Sequence, residues 1–223
     1  RLTKPYNPIL GETYELKTPD FRYASEQVSH HPPISACYAE STKDHFKLWL
    51  NTNMKSNFWG ASLEAQPLGL THVKLGNMPG MFSASRPSTW VQNFIVGSMY
   101  IEHIGEMVVR YDEPQDQNSS FSYDEIKELN ITFVKAGWNK SMRYLIKGKL
   151  PVREGSDKFW IISGRWNDTI QAFNEETGET INVFEPKPYP SNKEWMYNFT
   201  KFAVNLNSCP DKLKEKLPPT DSR

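Results

Sequence analysis

The chain has 223 residues, of which 38% are hydrophobic, 13% aromatic and 23% charged, and its 26 basic and 26 acidic residues balance to a net charge of zero. A chain of this length can bury a sizeable core, and the high aromatic share favours a β-rich globular protein over a disordered one. The balanced charge, without a basic stripe, argues against nucleic-acid binding.

The two cysteines, Cys37 and Cys209, are too few and too far apart for a disulfide framework or a zinc site. They indicate a reducing compartment, so we expect a cytoplasmic protein. No apolar stretch reaches the ~18 residues that a membrane-spanning helix requires.

Most of the chain between residues 22 and 184 has the pattern of antiparallel strands. An apolar face alternates with a mixed one at 46–50, and apolar side chains alternate with polar ones at 142–150, with Leu145 as the exception. β-Branched and aromatic residues dominate at 131–134 and 159–166. This period of two is typical of a sheet with one face in water. Residues 90–109 carry apolar side chains on both faces, which predicts a strand pair packed on both sides. One side would meet the protein core, and the other a ligand or more core.

The tail changes character after Pro190. Trp195, Phe199, Phe202 and Leu206 share one face of a helix. Ser191 is the expected N-cap of this helix, with Glu194 completing a capping box. We therefore expect a single domain over 1–223, mainly a β-barrel over 1–190, followed by a helical tail over 191–217 that packs on it.

Two adjacent histidines, His30 and His31, precede Pro32 and Pro33. On a regular strand they would point to opposite faces, but the two prolines end the ladder and allow both imidazoles to face one ligand. Protonated imidazoles donate from both ring nitrogens and suit a phosphate. Metal ligation and a purely structural pair are the alternatives that the residues leave open.

A second polar segment, Lys4 to Asn7, is stiffened by Pro5 and Pro8. A lysine and an asparagine on a stiff segment are suitable donors to a phosphate or an inositol hydroxyl. A solvated lysine in a turn is the commoner explanation of this pattern.

Several motifs together resemble one known family. The sequence Glu-Gln-Val-Ser-His-His-Pro-Pro at 26–33 is identical to the signature of the oxysterol-binding-protein-related lipid-binding domain, and Lys-Pro-Tyr-Asn-Pro-Ile-Leu-Gly-Glu-Thr at 4–13 resembles the segment upstream of it. Further similar segments lie at 93–97, 103–107, 164–167, 200–207 and 217–223, in the family's order. The resemblance covers nearly the whole chain.

The resemblance implies a large, incomplete antiparallel β-barrel around a hydrophobic tunnel. It implies binding of phosphatidylinositol 4-phosphate and, exclusively with it, a sterol, so that the two are exchanged between membranes that the protein contacts peripherally. The implied headgroup residues are Lys4, Asn7, His30 and His31, with Tyr6 beside them, and Thr52 and Met54 are expected in the tunnel. The family needs no cofactor or metal. The N-terminal lid and a C-terminal segment of the family domain are expected to be missing here.

Three rival functions stay open at this stage. The chain could sense or scaffold the phosphoinositide without moving a second lipid, or exchange phosphatidylserine instead of a sterol. An enzyme using His30 and His31 is disfavoured, because the sequence has no Ser-His-Asp constellation, no glycine-rich phosphate loop and no carboxylate cluster near the histidines.

Overall fold

A computed structural model describes residues 8–93, 95–112, 128–192, 194–196, 199 and 211–215. These residues form fifteen β-strands, one 3-10 turn and one short helix. The strands are β1 Thr13–Lys17, β2 Phe21–Ser29, β3 Ile34–Ser41, β4 Phe46–Asn51, β5 Met54–Phe58, β6 Leu63–Pro67, β7 Thr71–Leu75, β8 Met81–Ala84, β9 Ser88–Gln92, β10 Tyr100–Asp112, β11 Glu128–Phe133, β12 Leu145–Pro151, β13 Phe159–Arg165, β14 Ile170–Asn174 and β15 Thr180–Phe184. The 3-10 turn is Lys140–Met142, and helix α1 is Asp211–Lys214.

All of the strands belong to one antiparallel sheet. Its main path runs β1-β2-β3-β4-β7-β8-β10-β11-β12-β13-β14-β15, and a branch of β5, β6 and β9 joins it at the first half of β10. The two end strands, β1 and β15, do not pair with each other, so the sheet described here is not closed. The expected large, incomplete antiparallel sheet is confirmed.

Alternation along the strands makes the sheet amphipathic. In β2 the odd positions from Phe21 to Gln27 are at least half-buried, whereas the even positions from Arg22 to Val28 are exposed. The register carries this alternation across the sheet. A row of apolar side chains runs through Tyr23, Ala39, Leu48, Val73, Phe82 and Tyr111. The neighbouring row, on the opposite face, contains Arg22, Glu40, Lys47 and Lys74.

The branch arises because three long strands bend along a common line. Strands β4 and β5, β6 and β7, and β8 and β9 are continuous pairs interrupted at 52–53, 68–70 and 85–87. Arg86 ties the bends together, since its Nη2 donates to the carbonyl oxygens of Asn51 (2.8 Å) and Leu68 (3.2 Å). Gly69 adopts a φ of +79°, and a Cβ there would lie 3.0 Å from Asn51 Oδ1, so the second bend requires a glycine.

The best-packed part of the sheet lies at β12 to β14. Ile146, Ile162 and Ala172 are buried there, with Ile131 and Phe133 packed against them. Toward β1 the same face is only half-buried at Tyr14, Leu16 and Leu50. The partial burial of Tyr23 raises the pKa of its phenol, as expected beside apolar neighbours.

The chain divides into two compact units, one formed by Leu10–Glu185 and the other by Arg1–Ile9 with Pro186–Arg223. In the second unit Trp195 N donates to Asn192 O (3.0 Å), a helix-type turn, and α1 follows. The predicted helix from Ser191 to Cys209 lies largely outside the described residues, and the predicted boundary at 190 stays a prediction. None of the helices in the described ranges is long and apolar enough to span a bilayer.

Two predicted elements differ from the structure. The strand expected over 142–150 begins only at Leu145, because Met142 belongs to the 3-10 turn and Tyr144 has a φ of 69°. The strand pair expected over 90–109 is present as β9 and β10, but β9 ends at Gln92 and β10 begins only at Tyr100. Asn93 and Gly97 have φ values of 58° and 98°, which end the extended backbone. Ile95 and Val96 are therefore exposed and do not lie in a strand packed on both sides.

Among the described histidines, His103 of β10 is the one whose pKa is shifted by its surroundings. Its ring packs against Trp166 (centroids 4.5 Å apart) and edge-on against Phe133, and its Nδ1 lies 3.1 Å from Thr89 Oγ1. Burial lowers the pKa of His103 below its ordinary 6.5. The folded protein therefore keeps this imidazole neutral where the unfolded chain would take up a proton.

We predict that stability falls as the pH drops below about 6.5, because the unfolded chain then binds a proton that the folded protein refuses at His103. The measurement is the melting temperature between pH 7.5 and 5.0. His103→Gln should flatten this decline, and His45→Gln, an exposed histidine in the β3–β4 turn, should leave it unchanged. An equal decline in His103→Gln and the unsubstituted protein would contradict the assignment.

Candidate functional site

The two adjacent histidines lie in the turn between β2 and β3. Strand β2 ends at Ser29, the turn contains His30, His31, Pro32 and Pro33, and β3 begins at Ile34. Both imidazoles are exposed, and their ring centroids are 4.3 Å apart at an interplanar angle of 47°. The prediction that the prolines end the strand and present both rings together is confirmed. The ligand of the rings stays a prediction.

The turn is held at its base by Gln27, whose side chain is almost fully buried. Its Nε2 donates to Ser29 O (2.8 Å), and its Oε1 accepts from Ser35 Oγ. The register also shifts between Gln27 and Ser29, a β-bulge that leaves Val28 exposed. A bulge changes the direction of the following side chains. Gln27 and the bulge together therefore fix how the histidine turn leaves the sheet.

The backbone of Gln27 also joins the turn to the segment before β1. Gln27 N donates to Glu12 O (3.0 Å), and Gly11 N donates to Gln27 O (2.8 Å). Gly11 and Glu12 belong to the last part of the sequence motif at 4–13, and their backbone therefore pairs with β2 at Gln27. Lys4, Tyr6 and Asn7 lie outside the described residues, and their approach to His30 and His31 stays a prediction.

Thr52 contacts Ser35, the residue of β3 that also bonds to the side chain of Gln27. Its Oγ1 accepts from Ser35 N (3.0 Å), and its backbone N donates to Ser35 O (2.7 Å). Thr52 thus contacts the first residues of β3 at the point where β4 bends into β5. Met54 begins β5 and is nearly half exposed. Their expected place in a lipid tunnel stays a prediction.

Sequence reasoning did not single out Gln27 or Ser35. The signal was present, because Gln27 continues the inward series of Phe21, Tyr23 and Ser25 in β2. A polar amide at an inward position requires hydrogen-bond partners. The partners themselves could not be identified without the hairpin register.

The chemistry that the described part of the site offers is donation from two neighbouring rings to a single anion. Each imidazole presents up to two N–H donors when protonated, and both are open to solvent. Within the described ranges, no group of three His, Cys, Asp or Glu side chains could hold a metal ion. Two neighbouring rings that can both donate suit a phosphate group, which accepts charge-assisted hydrogen bonds.

Comparison with known proteins gives a consistent result. A family model described as oxysterol-binding protein matches residues 1–223. The chain is 38% identical over 222 residues to human oxysterol-binding protein-related protein 7, covering 99% of this chain and 25% of that protein. It is 32% identical over 227 residues to Arabidopsis thaliana oxysterol-binding protein-related protein 1B, of which it covers 43%. The chain thus spans less than half the length of these relatives.

Two solved structures share the fold. The Osh3 ORD in complex with PI(4)P from Saccharomyces cerevisiae has a TM-score of 0.77 and 32% identity, with 100% of this chain and 56% of that chain covered. The Osh1 ORD domain in complex with cholesterol also has a TM-score of 0.77, with 27% identity and 54% of that chain covered.

We predict that Gln27→Ala destabilises the protein by about 1–3 kcal/mol, because it leaves the Ser29 carbonyl and the Ser35 hydroxyl without their buried partner. Chemical unfolding measures the loss. Gln66→Ala, at an exposed position of β6, is the matched control and should change stability by less than about 0.5 kcal/mol. Equal effects of the two substitutions would show that the Gln27 side chain does not hold the turn.

Proposed function

This chain belongs to the oxysterol-binding protein family, and we propose that it binds phosphatidylinositol 4-phosphate and, exclusively with it, a sterol, and exchanges the two between membranes. The observation that carries the proposal is the pair of exposed imidazoles, 4.3 Å apart, at the end of a sheet with one apolar face. The similar Osh3 ORD was solved with PI(4)P, and the Osh1 ORD domain with cholesterol. These two ligands share a hydrophobic body and differ in the polar group.

The headgroup site in this proposal is formed by Lys4, Asn7, His30 and His31, with Tyr6 beside them. His30 and His31 donate to the phosphate on the inositol ring, and Lys4 adds a positive charge. Charge-assisted hydrogen bonds of this kind contribute about 1.5–3 kcal/mol each. The sterol lacks a phosphate, so it does not use these contacts.

The apolar part of either ligand is proposed to lie on the apolar face of the sheet, near Thr52 and Met54. This face is half-buried at Leu16, Tyr23 and Leu50. Half-buried apolar side chains in contiguous rows can cover an acyl chain or a sterol. A single apolar face of this kind supports occupation by one lipid at a time.

Two other functions share the phosphoinositide but not the sterol as the second ligand. Phosphatidylserine in place of the sterol would use the same apolar face with a different polar contact. A phosphoinositide sensor or scaffold would bind the first lipid and move no second one. We also propose that the protein is no enzyme, uses no cofactor, and works in the cytoplasm at the surfaces of organelle membranes or at membrane contact sites.

We predict that His30→Ala combined with His31→Ala abolishes extraction of phosphatidylinositol 4-phosphate from liposomes and leaves sterol extraction largely intact. Loss of two charge-assisted hydrogen bonds corresponds to at least about a hundredfold weaker phosphoinositide binding. The assay compares the amounts of each lipid that leave the liposomes with the protein. His45→Ala, an exposed histidine at the opposite end of β3, is the matched control and should extract both lipids normally. Equal loss of both lipids in the double variant would indicate misfolding, and normal phosphoinositide extraction would refute the headgroup site.

The exchange step has its own test. We predict that the protein releases bound phosphatidylinositol 4-phosphate when sterol-containing liposomes are added, with one sterol taken up for each phosphoinositide released, because one apolar face serves both. Transfer is measured between donor and acceptor liposomes with each lipid labelled. Replacement of the sterol by phosphatidylserine distinguishes the second assignment. Binding of phosphoinositide without movement of either second lipid would identify a sensor or scaffold.

A further inference from the structure

The connection between β11 and β12, residues 134–144 and here named the Trp138 loop, carries a tryptophan at its tip that is fully exposed. Tryptophan is large and largely apolar, and its full exposure to water is unfavourable. The exposure is not explained by a loosely attached loop, because hydrogen bonds hold the Trp138 loop on both sides of the tip.

On the β11 side, Val134 N donates to Leu145 O (2.9 Å), which closes the loop. Ala136 N donates to Oε1 of Glu102 (2.9 Å), a carboxylate that is only 1% exposed. Asn139 N then donates to Ala136 O (3.2 Å), which forms the turn that contains Trp138. The buried carboxylate of Glu102 thus accepts a hydrogen bond from the backbone of this loop and holds it against the sheet.

On the β12 side, Asn139 Oδ1 accepts from Ser141 N (3.0 Å) and caps the 3-10 turn. Arg165 Nη2 donates to Ser141 O (2.8 Å), and Arg165 Nη1 donates to Arg143 O. These bonds fix the backbone on either side of Trp138. The indole is therefore displayed by a pre-organised loop.

The charge around the tip is positive. The loop, residues 134–144, contains three basic residues and no acidic residue, in a chain whose net charge is zero. Two of these, Lys135 and Lys140, are exposed on either side of Trp138. Asp168, in the exposed turn after β13, is a nearby opposing charge at the same end of the sheet. The loop thus combines one exposed indole with two flanking ammonium groups.

The topology places the Trp138 loop and the histidine turn at the same end of the sheet. From β2 to β11 the path crosses six antiparallel pairs, so β2 and β11 run in the same direction. Strand β2 ends at the histidine turn, and β11 ends at the Trp138 loop. A surface that contacts this loop therefore lies at the end of the sheet where the histidines are exposed.

We propose that the Trp138 loop docks on the surface of an anionic bilayer, with the indole of Trp138 in the interfacial region and Lys135 and Lys140 at the headgroups. Indole rings partition to the membrane–water interface, and cations near an anionic surface are attracted to it. An acidic protein would match the lysines but would not by itself explain a single protruding indole. The inference extends the proposed lipid function to the membrane that supplies the lipid.

The test uses vesicles of phosphatidylcholine with phosphatidylglycerol, an anionic lipid that is not among the candidate ligands, and the vesicles contain no phosphoinositide, sterol or phosphatidylserine, so that the proposed lipid site is not involved. Co-sedimentation of the purified protein measures partitioning. Trp138→Ala is expected to weaken it by about tenfold, from the lost burial of one aromatic side chain. Lys135→Ala with Lys140→Ala is expected to weaken it by about 25-fold, since each cation near the surface contributes about fivefold.

The matched control is Lys17→Ala with Lys158→Ala, two exposed lysines at the opposite end of the sheet, which should bind vesicles as the unsubstituted protein does. Vesicles of phosphatidylcholine alone should abolish the effect of the loop lysines but not that of Trp138.

Unchanged vesicle binding in Trp138→Ala would overturn the proposal, whether or not the loop then binds a protein. Binding of a short-chain, water-soluble phosphatidylinositol 4-phosphate should be normal in Trp138→Ala, so a defect in that assay alone would count against the headgroup site and not against the docking loop.

Discussion

The alternation of apolar and polar side chains, kept in register from strand to strand, is the constraint on which the rest of this structure depends. A shift of one residue in any pair would move the apolar side chains of that strand to the solvent face. Because the register is preserved, rows such as Tyr23 to Tyr111 form one continuous apolar face. Among the described residues of that face, Ala39, Tyr111 and the group Ile146, Ile162 and Ala172 are buried, whereas Tyr23, Val73 and Phe82 are only partly buried. In the proposed function a lipid covers the partly buried remainder, at about 25 cal/mol for each Å² removed from water.

The histidine turn depends on a local break of the same rule. Pro32 and Pro33 cannot donate to a ladder, and the bulge after Gln27 shifts the register of β2 and β3 just before the turn. Gln27 itself is a polar residue on the apolar side of β2, so its amide must be paired within the fold. Its two side-chain bonds go to the two ends of the hairpin, Ser29 and Ser35. The same bonds that satisfy a buried amide therefore set the direction of the imidazoles.

Much of the fold could be predicted from residue patterns, because strand alternation is a local signal. Strands β4, β11 and β13 lie where alternation or β-branched and aromatic content predicted them, and the end of β2 follows from its prolines. The bends at 52–53, 68–70 and 85–87 could not be predicted, since they depend on bonds from Arg86 to the carbonyl groups of distant strands. The end of β9 was missed because apolar residues such as Ile95 and Val96 imitate a buried strand, whereas the positive φ of Asn93 is set by backbone geometry. For the site, the histidine pair was predictable, but its support by Gln27 and Thr52 required the register.

The position of the polar groups matters more to selection among lipids than the size of the apolar face. A lipid in a bilayer is already out of water, so moving its hydrocarbon part to a protein face changes the free energy little. Discrimination must then come from the headgroup, where a phosphate gains charge-assisted hydrogen bonds that a sterol hydroxyl does not. If the Trp138 loop docks on a bilayer as proposed, a headgroup at the membrane surface and a headgroup bound by His30 and His31 lie at the same end of the apolar face. The hydrocarbon part then enters first and the headgroup last, and contact of the indole with the bilayer shortens the distance through water that the hydrocarbon part crosses.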